Sequence, residues 1–183
     1  MSEIEDEFID KLGYKENIVR RIVTYPKIYK YTNGSLIHED TLGIESLLGK
    51  VEGAAIELLN MKSNIRDSVA CLDEMLDLGL PRLKCNLPWT NTLLASILEK
   101  SDKVMFLGNA KQVISLKSGN KQNIFENIVK SIIKDQFGGA VDIHQLEKVL
   151  IEKKLILQSF NISTMLPSNS SISINGNTVF IID

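Results

Sequence analysis

The chain has 183 residues, of which 44% are apolar and 24% charged, and its formal net charge is −2. That balance supplies enough apolar surface for a folded core and argues against a disordered chain. It carries no global basic field of the kind that marks many nucleic-acid binders, and no apolar run approaches the ~18 residues of a membrane span.

The first ten residues hold five acids and no base, the reverse of a secretory leader, so the expected setting is cytoplasmic with no membrane partner. Two cysteines, Cys71 and Cys85, are too few for a disulfide framework in a chain without a leader. Both read as packed thiols.

In chain order, residues 15–25 have helical spacing through Ile18 and Ile22 and end at Pro26. Residues 27–38 then read as a β-hairpin around Asn33-Gly34, residue types that accept the positive φ of tight turns. Helices are expected over 50–62 and 64–78, the second stopped by Gly79. A further helix is expected over 91–100, with Pro88 and Thr90 or Asn91 as start signals. A second hairpin follows over 104–115 around Gly108-Asn109, and a Lys-, Ser- and Gly-containing linker over 116–122. Helices over 123–135 and 142–154 are separated by Gly138-Gly139, and Asp142 is placed to cap the second. A short helical stretch over 161–165 precedes a third hairpin over 171–182, around Asn175-Gly176.

The turn glycines at 34, 108 and 176 lie 74 and 68 residues apart, a repeat of small-domain size. Helices followed by a two-stranded hairpin resemble the winged-helix form of the helix-turn-helix. The resemblance implies an α+β, mainly helical fold of tandem winged-helix units, each with three helices and a hairpin wing. The expected units span 1–42, 48–117 and 122–183. The first lacks a helix, which suggests that the sequence is the C-terminal part of a larger protein. Tandem winged helices of this look occur in bacterial transcription regulators, replication initiators and chromosome-associated proteins. They also occur in RNA polymerase accessory subunits, where they bind protein. The Ile-, Lys- and Asn-rich composition points to an AT-rich bacterial genome.

Charge is segregated along the chain. Residues 11–30 hold six bases and one acid, residues 39–80 three bases and nine acids, and residues 100–121 five lysines and one aspartate. In winged-helix DNA binders the third helix enters the major groove and the wing touches backbone, which requires exposed donors and cations. The residues that meet this need are Lys15, Asn17, Arg20 and Arg21 on the first helix, and Lys27 and Lys30 in the first wing. Lys100, Lys103 and Lys111 do so in the second unit. Tyr25, Tyr29 and Tyr31 add aromatics to the first wing, and Thr90, Asn91 and Ser96 add polar groups to the second unit's last helix.

The expected function is therefore a module that binds double-stranded DNA. The alternative is a protein-binding scaffold or self-associating unit that uses the acidic 39–80 region. Enzymatic chemistry is not expected. His38 and His144 have no second ligand at metal-binding spacing, Gly49-Lys50 lacks the rest of a phosphate loop, and no nucleophile–base set assembles. No catalytic residue, metal or cofactor is assigned.

Overall fold

The computed structural model describes residues 27–32, 34–62, 69–117, 120–157 and 162–182. The expected helix over 15–25 lies outside them. The fold is mixed α+β, with six helices and three small antiparallel sheets among the described residues. In chain order the elements are β1 (Ile28–Thr32), β2 (Ser35–His38), α1 (Glu39–Leu42), α2 (Leu47–Met61), β3 (Val69–Cys71) and α3 (Leu72–Leu76). A 3-10 turn at Lys84–Asn86 follows, then α4 (Asn91–Leu98), β4 (Val104–Leu107), β5 (Val113–Leu116), α5 (Lys121–Phe137), β6 (Ala140–Asp142) and α6 (Ile143–Glu152). A second 3-10 turn at Ile162–Met165 leads to β7 (Ile172–Asn175) and β8 (Thr178–Ile181). The chain divides into two compact units, residues 1–54 with 73–101 and residues 55–72 with 102–183.

All three expected hairpins form, with strands on both sides of the turn glycines. The expected helix over 64–78 does not. Val69–Cys71 is a strand paired with β5, and among the described residues of that stretch only Leu72–Leu76 is helical. A short apolar run carries no period that separates strand from helix. Here the pairing of Ala70 with Ile114, both buried, decides it. A second unforeseen strand, Ala140–Asp142, follows Gly138-Gly139 and pairs with β8. Both sheets therefore have three strands, ordered β3–β5–β4 and β6–β8–β7, with the lone strand against the second arm of the hairpin.

In the first unit, α4 begins where Thr90 accepts a bond from the Leu93 amide at 3.1 Å, leaving an N-terminal donor satisfied. Trp89, just before it, donates its indole N–H to the Pro81 carbonyl at 2.8 Å and so braces the approach to the helix. Leu93, Leu94, Ile97 and Leu98 of α4 are buried, as are Tyr29, Leu42, Leu47, Val51, Met75 and Leu83 elsewhere in the unit. Glu52 is buried too and accepts the Ser101 hydroxyl at 2.6 Å.

In the second unit one hydrophobic cluster joins Leu107 and Val113 of the second hairpin to Phe125, Val129 and Ile133 of α5. It continues through Val141, Leu146, Leu150, Ile172 and Val179. Burying each such side chain contributes about 1.5–3 kcal/mol. Asp142 caps α6 as its position implied, accepting from the His144 amide at 2.9 Å. Asn120 starts α5 by accepting from the amides of Gln122 and Asn123, and Gly138 ends it in the left-handed conformation.

Two polar contacts fix the hairpins of this unit. At the tip of the second, Gly108 has φ +72° and lies directly on the Leu155 carbonyl, while the Asn109 amide donates to that same oxygen at 3.2 Å. Near the third, buried Glu126 of α5 accepts the Ser170 hydroxyl (3.0 Å), the Ser171 amide (2.8 Å) and the Ser171 hydroxyl (2.9 Å) on one oxygen. Burial alone would raise the Glu126 pKa. The Ser171 and Ser170 bonds, with Lys130 at 3.5 Å, outweigh it and hold the carboxyl below its usual range.

Two outcomes follow. Gly108→Ala forces a Cβ to 1.7 Å from the Leu155 oxygen at a φ that alanine disfavours. Thermal unfolding should register a loss of about 2–4 kcal/mol, the size expected of severe overpacking with backbone strain. Because Glu126 is depressed in the fold, its stabilisation is present above the unfolded value of about 4.5 and is lost as pH falls through and below it. Glu126→Gln should cost about 1–3 kcal/mol at neutral pH and flatten acid unfolding below that value, read by circular dichroism across pH.

Candidate interaction surface at the hairpin–helix seam

Within the first unit the hairpin β1–β2 lies along α4, and the contact is mostly polar. The Lys30 amide donates to the Ser96 hydroxyl at 2.8 Å. The Thr90 hydroxyl donates to the Tyr31 carbonyl at 2.6 Å while also capping α4. The Tyr31 hydroxyl donates to the Pro88 carbonyl at 3.0 Å. Lys100, just beyond the helix, donates to the Ile28 carbonyl at 3.2 Å and sits 3.9 Å above the centre of the Tyr29 ring.

The sequence explains why these groups meet. Along β1 Tyr29 is buried and Lys30 exposed, and the register with β2 shifts between Lys30 and Thr32, at Tyr31. Ser96 interrupts the apolar run Leu93, Leu94, Ile97 and Leu98, so its hydroxyl is carried into a buried position, 9% exposed, where a partner is required. The Lys30 amide is that partner. Tyr29, 3% exposed, has its pKa raised by burial first and by the neighbouring Glu39 carboxylate second. Burial lowers the Lys100 pKa, against the opposing pull of Glu39 and Glu99.

The sequence-derived cations divide unevenly. Lys15, Asn17, Arg20 and Arg21 lie outside the described residues. Lys100 is engaged with the hairpin, Lys30 meets α4 through its backbone amide with its side chain exposed, and Lys27, also exposed, accepts from the Glu39 amide through its carbonyl. Lys103 and Lys111, both exposed, lie at opposite ends of the second hairpin. The Lys103 carbonyl accepts from the Lys117 amide at the base, whereas Lys111 stands in the tip with φ +52°. Strands of four residues keep base and tip about 13 Å apart, too far to act as one cluster.

The acidic stretch is not one surface either. Glu52 is buried on Ser101, and Asp73 accepts from the Asn91 side chain, while Asp40, Glu45 and Asp77 are exposed. His38 caps α1 by accepting from the Asp40 amide, and His144 lies 3.4 Å from Glu147 on the surface of α6. Among the described residues no three His, Cys, Asp or Glu side chains approach closely enough to hold a metal.

Sequence reasoning missed the seam itself. Its signal was the hydroxyl of Ser96 inside an apolar helical stripe. Comparison with known protein families, with curated proteins and with solved structures finds no match in any of the three.

The raised Tyr29 pKa sets a direction for the seam. The fold favours neutral Tyr29, so the contribution is complete below the unfolded value of 10.0 and is lost as pH rises above it. The protection factor of the Lys30 amide, its exchange measured against the intrinsic base-catalysed rate, should therefore fall above that pH. Lys100→Ala should produce the same loosening at neutral pH, by about 0.5–2 kcal/mol. Unchanged Lys30 protection in the variant would remove Lys100 from this role.

Proposed function

We propose that the chain is a tandem winged-helix scaffold that binds a protein partner. The winged-helix reading is supported by an order that occurs twice: helix, strand, helix, a further helix or helical turn, then a hairpin whose second arm takes the lone strand. In that reading α4 is the third helix of its unit, the element that enters the major groove in DNA-binding relatives of the fold.

One observation carries the choice of a protein partner. Five of the eight residues of α4 are buried; Ser96 within it, Thr90 capping it and Lys100 just beyond it are bonded to the hairpin β1–β2, and Asn91 is bonded to Asp73. A groove-reading helix needs an exposed face of donors. At the corresponding position after α6 the described residues form the 3-10 turn Ile162–Met165, which carries no Lys or Arg. The net charge of −2 adds no phosphate attraction.

A second reading, binding of double-stranded DNA by the first unit, is favoured by the exposure of Lys27 and Lys30, which belong to the basic 11–30 sequence. There the chain would be a regulatory or DNA-processing module, with Lys15, Asn17, Arg20 and Arg21 on phosphates and bases. A gel shift on random duplex DNA separates the two readings. The scaffold reading expects no shift at about 50 mM salt, where phosphate-driven binding is strongest. A shift at low salt that collapses by about 200 mM, and is abolished in Arg20→Ala/Arg21→Ala, would replace it with the second.

A further inference from the structure

The hinge between α1 and α2 spans four residues, 43–46, and carries two left-handed residues. Gly43 has φ +66° and adopts it freely. Ser46 has φ +53°, a conformation in which its Cβ crowds the backbone. The hinge is held in this bent form by burial of Ile44 and by Gly43 resting tightly against the Lys84 side chain.

Among the described residues the segment before the hinge holds β1, β2 and α1, and its hairpin meets α4 along one seam. Tyr29, Lys30, Tyr31 and the Ile28 carbonyl on one side meet Pro88, Thr90, Ser96 and Lys100 on the other. None of these contacts uses a hinge residue. If the hinge straightened, the same contacts would form unchanged with the α4 of another copy.

We propose that two copies of this chain exchange the segment preceding residue 43, so that the hairpin of each seats on α4 of the other. Short hinges under strain favour such exchange, because every interface contact is conserved and only the hinge changes conformation. The strained Ser46 backbone relaxes on opening, whereas the buried Ile44 must find cover in the extended hinge. The exchange is second order in protein and slow, since the seam must open fully first. It is independent of the reading above, because an exchanged pair forms whether the partner is protein or DNA.

The full chain is unfolded in denaturant and refolded at low and at high protein concentration, then resolved by size exclusion with light scattering. The expected result is a dimer whose fraction rises with refolding concentration and which returns to monomer only slowly on dilution. Glycine at position 46 carries no strain to release, so Ser46→Gly should lower the dimer fraction at least about fivefold. Deleting exposed Glu45 shortens the hinge and should raise it. A dimer arising from an ordinary surface contact would ignore both changes. Monomer alone at every refolding concentration, or a dimer fraction equal in the parent chain and both hinge variants, overturns the proposal.

Discussion

The first unit depends on hydroxyl and amine groups of one helix and its two ends finding the backbone of one hairpin. A two-stranded hairpin alone is marginal in water, since it has no third strand and little face to bury. β1–β2 has no third strand among the described residues, unlike the other two sheets. What it has instead is α4. Thr90, Ser96 and Lys100 supply directional bonds to the backbone of residues 28–31, and Tyr29 supplies the buried ring. An apolar contact alone would permit sliding of the hairpin along the helix. Three donor–acceptor pairs at separate points along β1 leave one register.

The other hairpins are held by different means. The second and third each gain a third strand and stand over a shared hydrophobic cluster. Their polar contacts refine rather than create their position. Gly108 admits the Leu155 carbonyl where any side chain would exclude it, and Glu126 gathers three donors at the entrance to β7. A buried carboxylate is stable there because its bonds outweigh the desolvation that opposes it. Polar groups thus act where the chain must be positioned, and apolar groups where it must be stabilised.

Much of this organisation was legible in the residue order. Glycine with asparagine marks the turns because few other residues accept positive φ, and that signal needs no tertiary context. Asp142 as a cap and Gly138 as a stop are equally local. The strands at Val69–Cys71 and Ala140–Asp142 were not legible, because three residues are too few for a period of two to be distinguished from a period of 3.6. Each exists because a distant partner, β5 or β8, is already present to receive it. The placement of the lysines was not legible either. Lys103 and Lys111, close in sequence, are separated by the length of a hairpin, and Lys100 turns to Tyr29.

That last contact shows why charge blocks are a poor guide to partners in a chain of this kind. A lysine beside an aromatic ring and a carbonyl is already in a favourable field, and moving it to a phosphate would forfeit both. Glu52 and Asp73 make the same point for the acids, since each answers a donor within its own unit. Counted along the sequence these residues look like surfaces awaiting a ligand. Counted in the fold they are the fasteners of the first unit. Lys27 and Lys30 on the hairpin and Asp40 on α1 are among the charges that stay exposed, and all three lie on the segment that α4 anchors. The seam decides how these charges are presented, so weakening it would move them even though none of their side chains takes part in it.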